Sequence, residues 1–306
     1  MNRLRTLRLL PHEWFFGAFL LITSLRLIAA VGPLDPAALL YPGLLLLNAA
    51  LIVWSEVRQT QARWFARLWA YPVMINVVFM TMGSTALKLV SHPQDTILQQ
   101  LDGMLVGVTP SLRAESLITP WLTETFSFCY LLFFPYLFFS WVFYTWKGLP
   151  AFRRLCTGLF TIYAVGFLGY STVPAAGPHL AMTNQFSVPL TGWVFTRIND
   201  YIVAHGSNGV DAFPSLHCAV SSYLLFFDRR HAPWRFRLYA VPCAGLWLAT
   251  IYLRYHYFVD IVAGFALASF ALWLSRRWEK SLGETSPESA TTQPRPSHHA
   301  SHLALR

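Results

Sequence analysis

The stretch RYHYFVDIVAGFALASFALWL, residues 254–274, determines how the rest of the sequence is interpreted. Residues 256–275 form a largely apolar run of the length, about 20 residues, that a helix needs to cross a bilayer. Three ionisable residues, Arg254, His256 and Asp260, nevertheless stand at the beginning of this run. Ionisable groups at a membrane helix are costly and by default mark a function. The stretch therefore predicts a membrane span with a functional site at its start.

The remainder of the chain contains further apolar runs of similar length. Of its 306 residues, 55% are hydrophobic and 12% are charged, which is too apolar for an ordinary soluble domain. A soluble protein with a large core would need alternating polar faces, and the apolar runs mostly lack them. We therefore predict an all-α polytopic membrane protein with eight spans. The predicted spans are residues 14–31, 37–54, 69–90, 121–145, 155–172, 213–227, 236–253 and 256–275.

The basic residues predict the orientation of these spans. A formal net charge of +9 could indicate nucleic-acid binding, but Arg and Lys are concentrated in alternate loops, at residues 3–8, 58–67, 147–154, 229–237 and 276–280. The intervening loops contain only Lys88, Arg113, Arg197 and Arg254. The positive-inside rule then places both termini in the cytoplasm and these four residues on the outer side. We predict a protein of the bacterial inner membrane with no nucleic-acid partner.

Three segments follow one another along the chain. Residues 1–68 are predicted to form an N-terminal transmembrane hairpin, whose first span is a retained anchor rather than a cleaved signal peptide. Residues 69–278 contain six further spans and the polar groups of interest. Residues 279–306 are rich in Ser, Thr and Pro and are predicted to be a disordered cytoplasmic tail, in which His298, His299 and His302 are inert.

Two outer loops and the cysteines complete this outline. Residues 91–120 carry apolar residues at helical spacing and predict an amphipathic helix in the membrane interface. Residues 173–212 form a long loop that is rich in aromatic residues, which favours a lid or an interfacial segment.

The four cysteines lie in apolar runs without paired spacing, so we predict neither a disulfide framework nor a zinc site. The absence of an internal repeat weighs against an inverted-repeat transporter.

The outer face combines two polar motifs. His256 and Asp260 are four residues apart and share one face of a helix, where the carboxylate can orient the imidazole as a nucleophile or base. The second motif is DAFPSLHCAV, residues 211–220, in which a proline suits the first helical position. Ser215 and the free amides of that first turn can bind an anion, and His217 lies beside them. The start of this span and the start of the last span fall on the same side, so the two motifs can converge.

Taken together, FPSLH and YLRYHYFVD resemble the type 2 phosphatidic acid phosphatase superfamily, and LDGMLVGVTPSL and AAGPH resemble its inositol phosphorylceramide synthase-like branch. The resemblance covers about residues 69–275. It implies a six-helix membrane core, here preceded by two extra spans, and phosphoryl transfer without a cofactor or metal. It further implies that His256 attacks phosphorus to give a phosphohistidine, that Asp260 orients it and that His217 protonates the leaving oxygen.

The sequence departs from the superfamily in its basic residues. The Lys-x6-Arg-Pro motif has no counterpart before VPAAGP, and Thr250 stands where an Arg is expected six residues ahead of His256. Phosphoryl transfer depends on neutralising the phosphoryl oxygens, so other groups must replace these cations. We predict that Ser215 and the outer basic residues bind phosphate. Arg254 is the best placed of these, with Lys88, Arg197 and Arg113 as further candidates.

The leading hypothesis is an enzyme that transfers the phosphoryl group of a membrane lipid at the outer (periplasmic or lumenal) face. The acceptor is water in a phosphatase, or a lipid or sugar hydroxyl in a transferase, and the branch resemblance favours transfer. One alternative is a non-catalytic lipid-binding protein or transporter with the same fold. Another is a metal hydrolase that uses His217, His256 and Asp260. The sequence does not predict an oligomeric state.

Overall fold

The computed structural model describes residues 9–284 and is all-helical, with an isolated bridge between Ala175 and Asp211 as the only β pairing in that range. Two short 3-10 helices, Ala114–Leu117 and Thr183–Gln185, lie in the loops. The α-helices α1–α13 are, in chain order, Pro11–Val31, Pro36–Val57, Gln61–Leu89, Asp95–Val106, Pro110–Arg113, Pro120–Leu131, Phe133–Trp146, Leu149–Thr172, Pro178–Ala181, Val194–Gly206, Leu216–His231, Pro233–Tyr252 and Phe258–Glu284.

The two ends of the chain extend beyond this range. Residues 279–284 of the predicted tail continue helix α13. The rest of that tail, with its three histidines, and the basic cluster at residues 3–8 lie outside the described residues.

Within the described residues, six helices are long and apolar enough to cross a membrane: α1, α2, α3, α6 together with α7, α8 and α13. They confirm the prediction of an integral membrane protein and six of its eight spans. Helices α11 and α12 occupy the positions of the other two, but do not qualify by length and composition. Helix α11 has only 16 residues, and α12 carries Arg235 and Arg237 near its start. Helix α11 is buried in the bundle, where it packs against α8, α12 and α13. Helix α12 packs against α11 and α6 and exposes Leu238, Val241 and Leu248 on its other side.

Prolines and capping side chains set several of the helix boundaries. Asp35 and Thr60 accept hydrogen bonds from the first-turn amides of α2 and α3, and Ser215 does the same for α11. Helices α6 and α7 are separated at Leu132, three residues before Pro135, because a proline cannot donate to the carbonyl four residues earlier. This break places aromatic side chains of both helices at the candidate site.

The N-terminal pair of helices packs against the remaining bundle. Helix α1 lies against α3 and α8. Near the start of α3, the buried guanidinium of Arg67 binds Glu13 of α1 and also Glu56 of α2, at 3.1 Å. The three helices are thus joined by an ion-pair cluster that is shielded from solvent.

The basic loops meet at one end of the bundle. Arg154 at the start of α8 and Arg230 at the end of α11 each lie 3.4 Å from Glu279 near the end of α13. Lys147 donates to the carbonyl of His231 at 3.2 Å. Helices α11 and α13 therefore begin together at the opposite end, where the predicted catalytic residues lie.

Helices α4 and α10 cover that opposite end. Helix α4 coincides with the predicted amphipathic helix, and its apolar side chains Ile97, Met104 and Leu105 are exposed while Asp95 and Asp102 are buried. Helix α10, in the long second loop, exposes Phe195 and Ile198. Apolar faces directed away from the protein are typical of helices that lie in a membrane interface.

Candidate active site

His256 lies in the turn between α12 and α13, and its Nδ1 atom is 2.9 Å from the carbonyl oxygen of Ala212. A carbonyl oxygen can only accept, so Nδ1 carries the proton and donates it to Ala212. The Nδ1 atom is also 3.4 Å from Oδ2 of Asp260. In the neutral imidazole the lone pair is therefore on Nε2, and Nε2 is the nitrogen available for attack.

Asp260 lies in the first turn of α13 and is fully buried. Its Oδ2 accepts from the amide of Tyr257 at 2.8 Å, and its main-chain oxygen accepts from the amide of Ser215 at 3.0 Å. Asp260 thus caps its own helix and fixes the start of α11 beside the start of α13. The carboxylate contributes to the position of His256 through the backbone as well as through the imidazole.

His217, in the first turn of α11, faces His256 with 6.0 Å between the ring centroids. Its ring is held between Tyr130 and Phe133, at centroid distances of 4.7 and 4.6 Å, from the two sides of the α6–α7 break. The Tyr130 hydroxyl is 3.4 Å from Nδ1 of His217. The two predicted catalytic histidines are therefore neighbours, and aromatic rings fix one of them.

Both histidines line one cavity of about 400 Å³. Its polar end also contains His179, Asp211 and Tyr255. The other end is apolar and lies between α3, α7 and α8, where it is lined by Ile75, Phe79, Met80, Phe133, Phe134, Leu137 and Phe167. Met80 and Phe134 are exposed on the outside of the bundle, so the apolar end reaches the surface that faces lipid.

The comparison with known families agrees with this geometry. The family model described as the PAP2 superfamily matches residues 98–274. The chain belongs to the PAP2 superfamily. Members of this superfamily are typically phosphatases or phosphotransferases. No curated protein and no solved structure matches the chain significantly.

Within this PAP2 superfamily chain, the predicted phosphate-binding residues do not line the cavity. Lys88 is paired with Asp35 at 2.6 Å, and Arg113 and Arg197 are exposed elsewhere. Ser215 is buried, and its hydroxyl accepts from the amide of Cys218 at 3.3 Å. None of these four residues lines the cavity that holds the histidines, and their binding of phosphate stays a prediction.

Arg254 is engaged by protein groups from two loops. Its guanidinium binds Glu115 at 3.1 Å and the carbonyl of Val188 at 2.5 Å, and it stacks on the ring of Phe186. Its own carbonyl accepts from the amide of His179 at 2.7 Å. Arg254 therefore fastens the loop around residue 188 and the AAGPH segment to the turn that carries His256.

His179 was not singled out from the sequence, although it closes the AAGPH segment. Burial, followed by the nearby His256, lowers the pKa of His179 to about 4, so its imidazole is neutral near pH 7. The preceding Gly177 has φ +87° and approaches the carbonyl of Tyr255 so closely that an added Cβ would lie 2.3 Å from it. Only glycine fits there, and this close contact brings His179 to the cavity.

Two further carboxylates that the sequence prediction did not include lie on α4, the predicted interfacial helix. Asp95 accepts from the amides of Ala176 and Gly177 at 3.0 and 2.9 Å. Asp102 accepts from the amides of Phe258 and Val259, both at 3.0 Å. Helix α4 therefore holds the segment before His179 and caps the helix that follows His256. The seven-residue spacing of Asp95 and Asp102 in an amphipathic segment is the sequence pattern that could have indicated them.

Proposed function

We propose that this protein is a phosphotransferase that acts on a lipid phosphate at the outer face of the bacterial inner membrane, as in the inositol phosphorylceramide synthase-like branch. One observation supports this most directly: a single cavity has imidazoles at one end and an apolar, lipid-facing opening at the other. A phosphorylated headgroup fits the first end and its hydrocarbon chain fits the second. Both termini then lie in the cytoplasm with the basic loops.

The proposed reaction has two steps. Nε2 of His256 attacks phosphorus, the bond from phosphorus to the leaving oxygen breaks, and protonated His217 gives its proton to that oxygen. A lipid or sugar hydroxyl then attacks the phosphohistidine, the N–P bond breaks, and His217 takes the hydroxyl proton. Water in place of the hydroxyl would give hydrolysis. After the second step His256 is free of phosphate and His217 is protonated, as both were at the start.

The phosphoryl oxygens need partners other than the predicted arginines and lysine. The amides of Leu216 and His217, in the first turn of α11, have no backbone acceptor within residues 9–284, and both residues line the cavity. Amides at a helix start bind anions. His179 supplies a third imidazole at the same end. Arg254 then acts as a positioning residue, through the loop and the turn that it joins.

Comparing membrane lipids with and without the protein tests this function. Cells expressing the wild type, His256→Ala or His205→Ala are compared by lipid mass spectrometry, with His205 as an exposed histidine outside the cavity. We expect one phospholipid class to decrease and a phosphorylated product to appear with the wild type and His205→Ala only. An acid-labile, alkali-stable phosphoprotein should form in the same two samples, and EDTA should not prevent it.

Unchanged lipids in all three samples, with folded protein present, would favour the non-catalytic lipid-binding alternative. Full activity of His256→Ala would exclude the proposed nucleophile. Loss of activity in EDTA would favour a metal hydrolase.

A further inference from the structure

A second concave site lies at the end of the bundle opposite the histidine cavity. It is a groove of about 660 Å³ between the ends of α11 and α13. The groove is lined by Arg230, Ser269, Leu272, Trp273, Arg276, Arg277 and Lys280. Four of these seven residues are cationic and none is acidic, so the groove attracts an anion.

The lining residues of α13 are ordered along the helix. Ser269, Trp273, Arg276 and Lys280 follow one another at intervals of three or four residues and therefore share one face. The apolar part of this face, with Trp273 exposed, lies toward the middle of the span, and the cations lie toward its end. The apolar part of the groove thus lies at the depth of the acyl chains of a phospholipid, and its cations lie at the depth of the headgroup.

The cations differ in how far they are already engaged. Arg230 is ion-paired with Glu279, and the guanidinium of Arg277 lies 5.6 Å from the ring of Trp273. Arg276 and Lys280 are exposed and have no ion pair or side-chain hydrogen bond with any other described residue. Among the described residues, these two cations at the groove therefore have no competing partner and can bind a ligand.

We propose that this groove binds one anionic phospholipid, with its phosphate at Arg276 and Lys280 and an acyl chain along Trp273. The occupant is a lipid rather than a soluble phosphate because the apolar part of the groove belongs to a membrane-spanning helix. Basic pockets of this kind at the ends of membrane helices recognise anionic headgroups. The site is separate from the proposed catalytic cavity and does not depend on its chemistry.

Native mass spectrometry of the full chain in detergent tests the proposal. The protein is titrated with dioleoyl phosphatidylglycerol or, for comparison, zwitterionic dioleoyl phosphatidylcholine. The variant Arg276→Gln/Lys280→Gln is matched by Arg229→Gln/Arg237→Gln, which removes two exposed cations from the same end but outside the groove. We expect about 25-fold weaker phosphatidylglycerol binding in the first variant, at about fivefold for each cation, and less than twofold change in the control.

Three outcomes would overturn the proposal. Equal binding of the two lipids by the wild type would show that the headgroup charge is not recognised. Equal losses in both double variants would show attraction to the basic end as a whole rather than to the groove. Displacement of the lipid by millimolar glycerol phosphate would assign the groove to a soluble phosphate.

Discussion

His256 is oriented by main-chain as well as side-chain atoms. The carbonyl of Ala212 lies closer to Nδ1 than the carboxylate of Asp260 does, at 2.9 Å compared with 3.4 Å. The four-residue spacing of His256 and Asp260 predicted their proximity, but no side-chain pattern indicates that a carbonyl from the DAFPSLH motif also contacts the imidazole. Asp260 has a second task, because it caps α13 through the amide of Tyr257.

At the same scale, the proposed general acid can be tested with leaving groups of different basicity. His217→Ala should lower turnover of an alkyl phosphate ester by about 10²–10⁴-fold, because its leaving oxygen must be protonated. A nitrophenyl phosphate needs no such proton and should lose much less. Initial rates for both substrates, normalised to wild type, provide the measurement. Equal losses would indicate that His217 binds phosphate instead.

The lowered pKa of His179 predicts how the stability of the protein depends on pH. Its pKa is about 4 in the folded protein, compared with about 6.5 in an unfolded chain. Above pH 6.5 the imidazole of His179 is neutral in both the folded and the unfolded protein, so it does not change the free energy of unfolding. Between pH 6.5 and 4 the unfolded protein binds more protons, so the free energy of unfolding falls as the pH drops. At pH 5 the loss is up to about 2 kcal/mol.

The measurement is thermal unfolding in detergent at pH 7.5 and pH 5. Wild type and His205→Gln should lose stability between these values, whereas His179→Gln should lose less because the titrating group is gone. The same pH sensitivity in all three proteins would mean that His179 keeps an ordinary pKa.

Helix α4 carries none of the predicted catalytic residues but binds two segments of the site. Asp95 and Asp102 lie seven residues apart on its buried face, and one binds the segment before His179 while the other caps α13. Two amides at a helix start also favour a negative charge, because of the helix dipole. Helix α4 therefore joins two site segments that are about 80 residues apart in the sequence.

We expect Asp102→Asn to weaken that junction. Asparagine offers one acceptor oxygen, so one of the amides of Phe258 and Val259 loses its partner, at a cost of about 1–3 kcal/mol. Because α13 begins directly after His256, turnover at saturating lipid should also fall. Turnover and thermal unfolding are compared with those of Asp200→Asn, an exposed carboxylate on α10. If the two variants behave alike, α4 has no part in positioning the site.

For the molecule as a whole, the basic loops predict its direction in the membrane. In intact spheroplasts, a cysteine at Thr183, beside the proposed site, should react with a membrane-impermeant maleimide. A cysteine at Arg58 should react only after permeabilisation. Three native cysteines are buried and Cys129 is partly buried, so background labelling should be small. The reverse pattern would place the site in the cytoplasm.

For the molecule as a whole, the sequence best predicted the features that are marked by long apolar runs or by specific motifs. Apolar runs of bilayer length predicted six of the spans, and FPSLH with YLRYHYFVD predicted the superfamily. The sequence does not show that Glu115 and Val188 engage the guanidinium of Arg254, whose binding of phosphate stays a prediction. Asp102 and His179 were missed for the same reason: their partners come from distant segments that only the folded chain brings together.

The contact between His256 and Ala212 has a consequence for how variants of this protein should be interpreted. Every amino acid carries a main-chain carbonyl, so a mutational scan at position 212 would report only on the space available there, where Ala212 is 2% exposed. The scan would leave the orienting acceptor itself unchanged. Replacing the amide after residue 212 by an ester would weaken that acceptor while leaving every side chain in place, so backbone chemistry, and not side-chain substitution, can isolate its contribution.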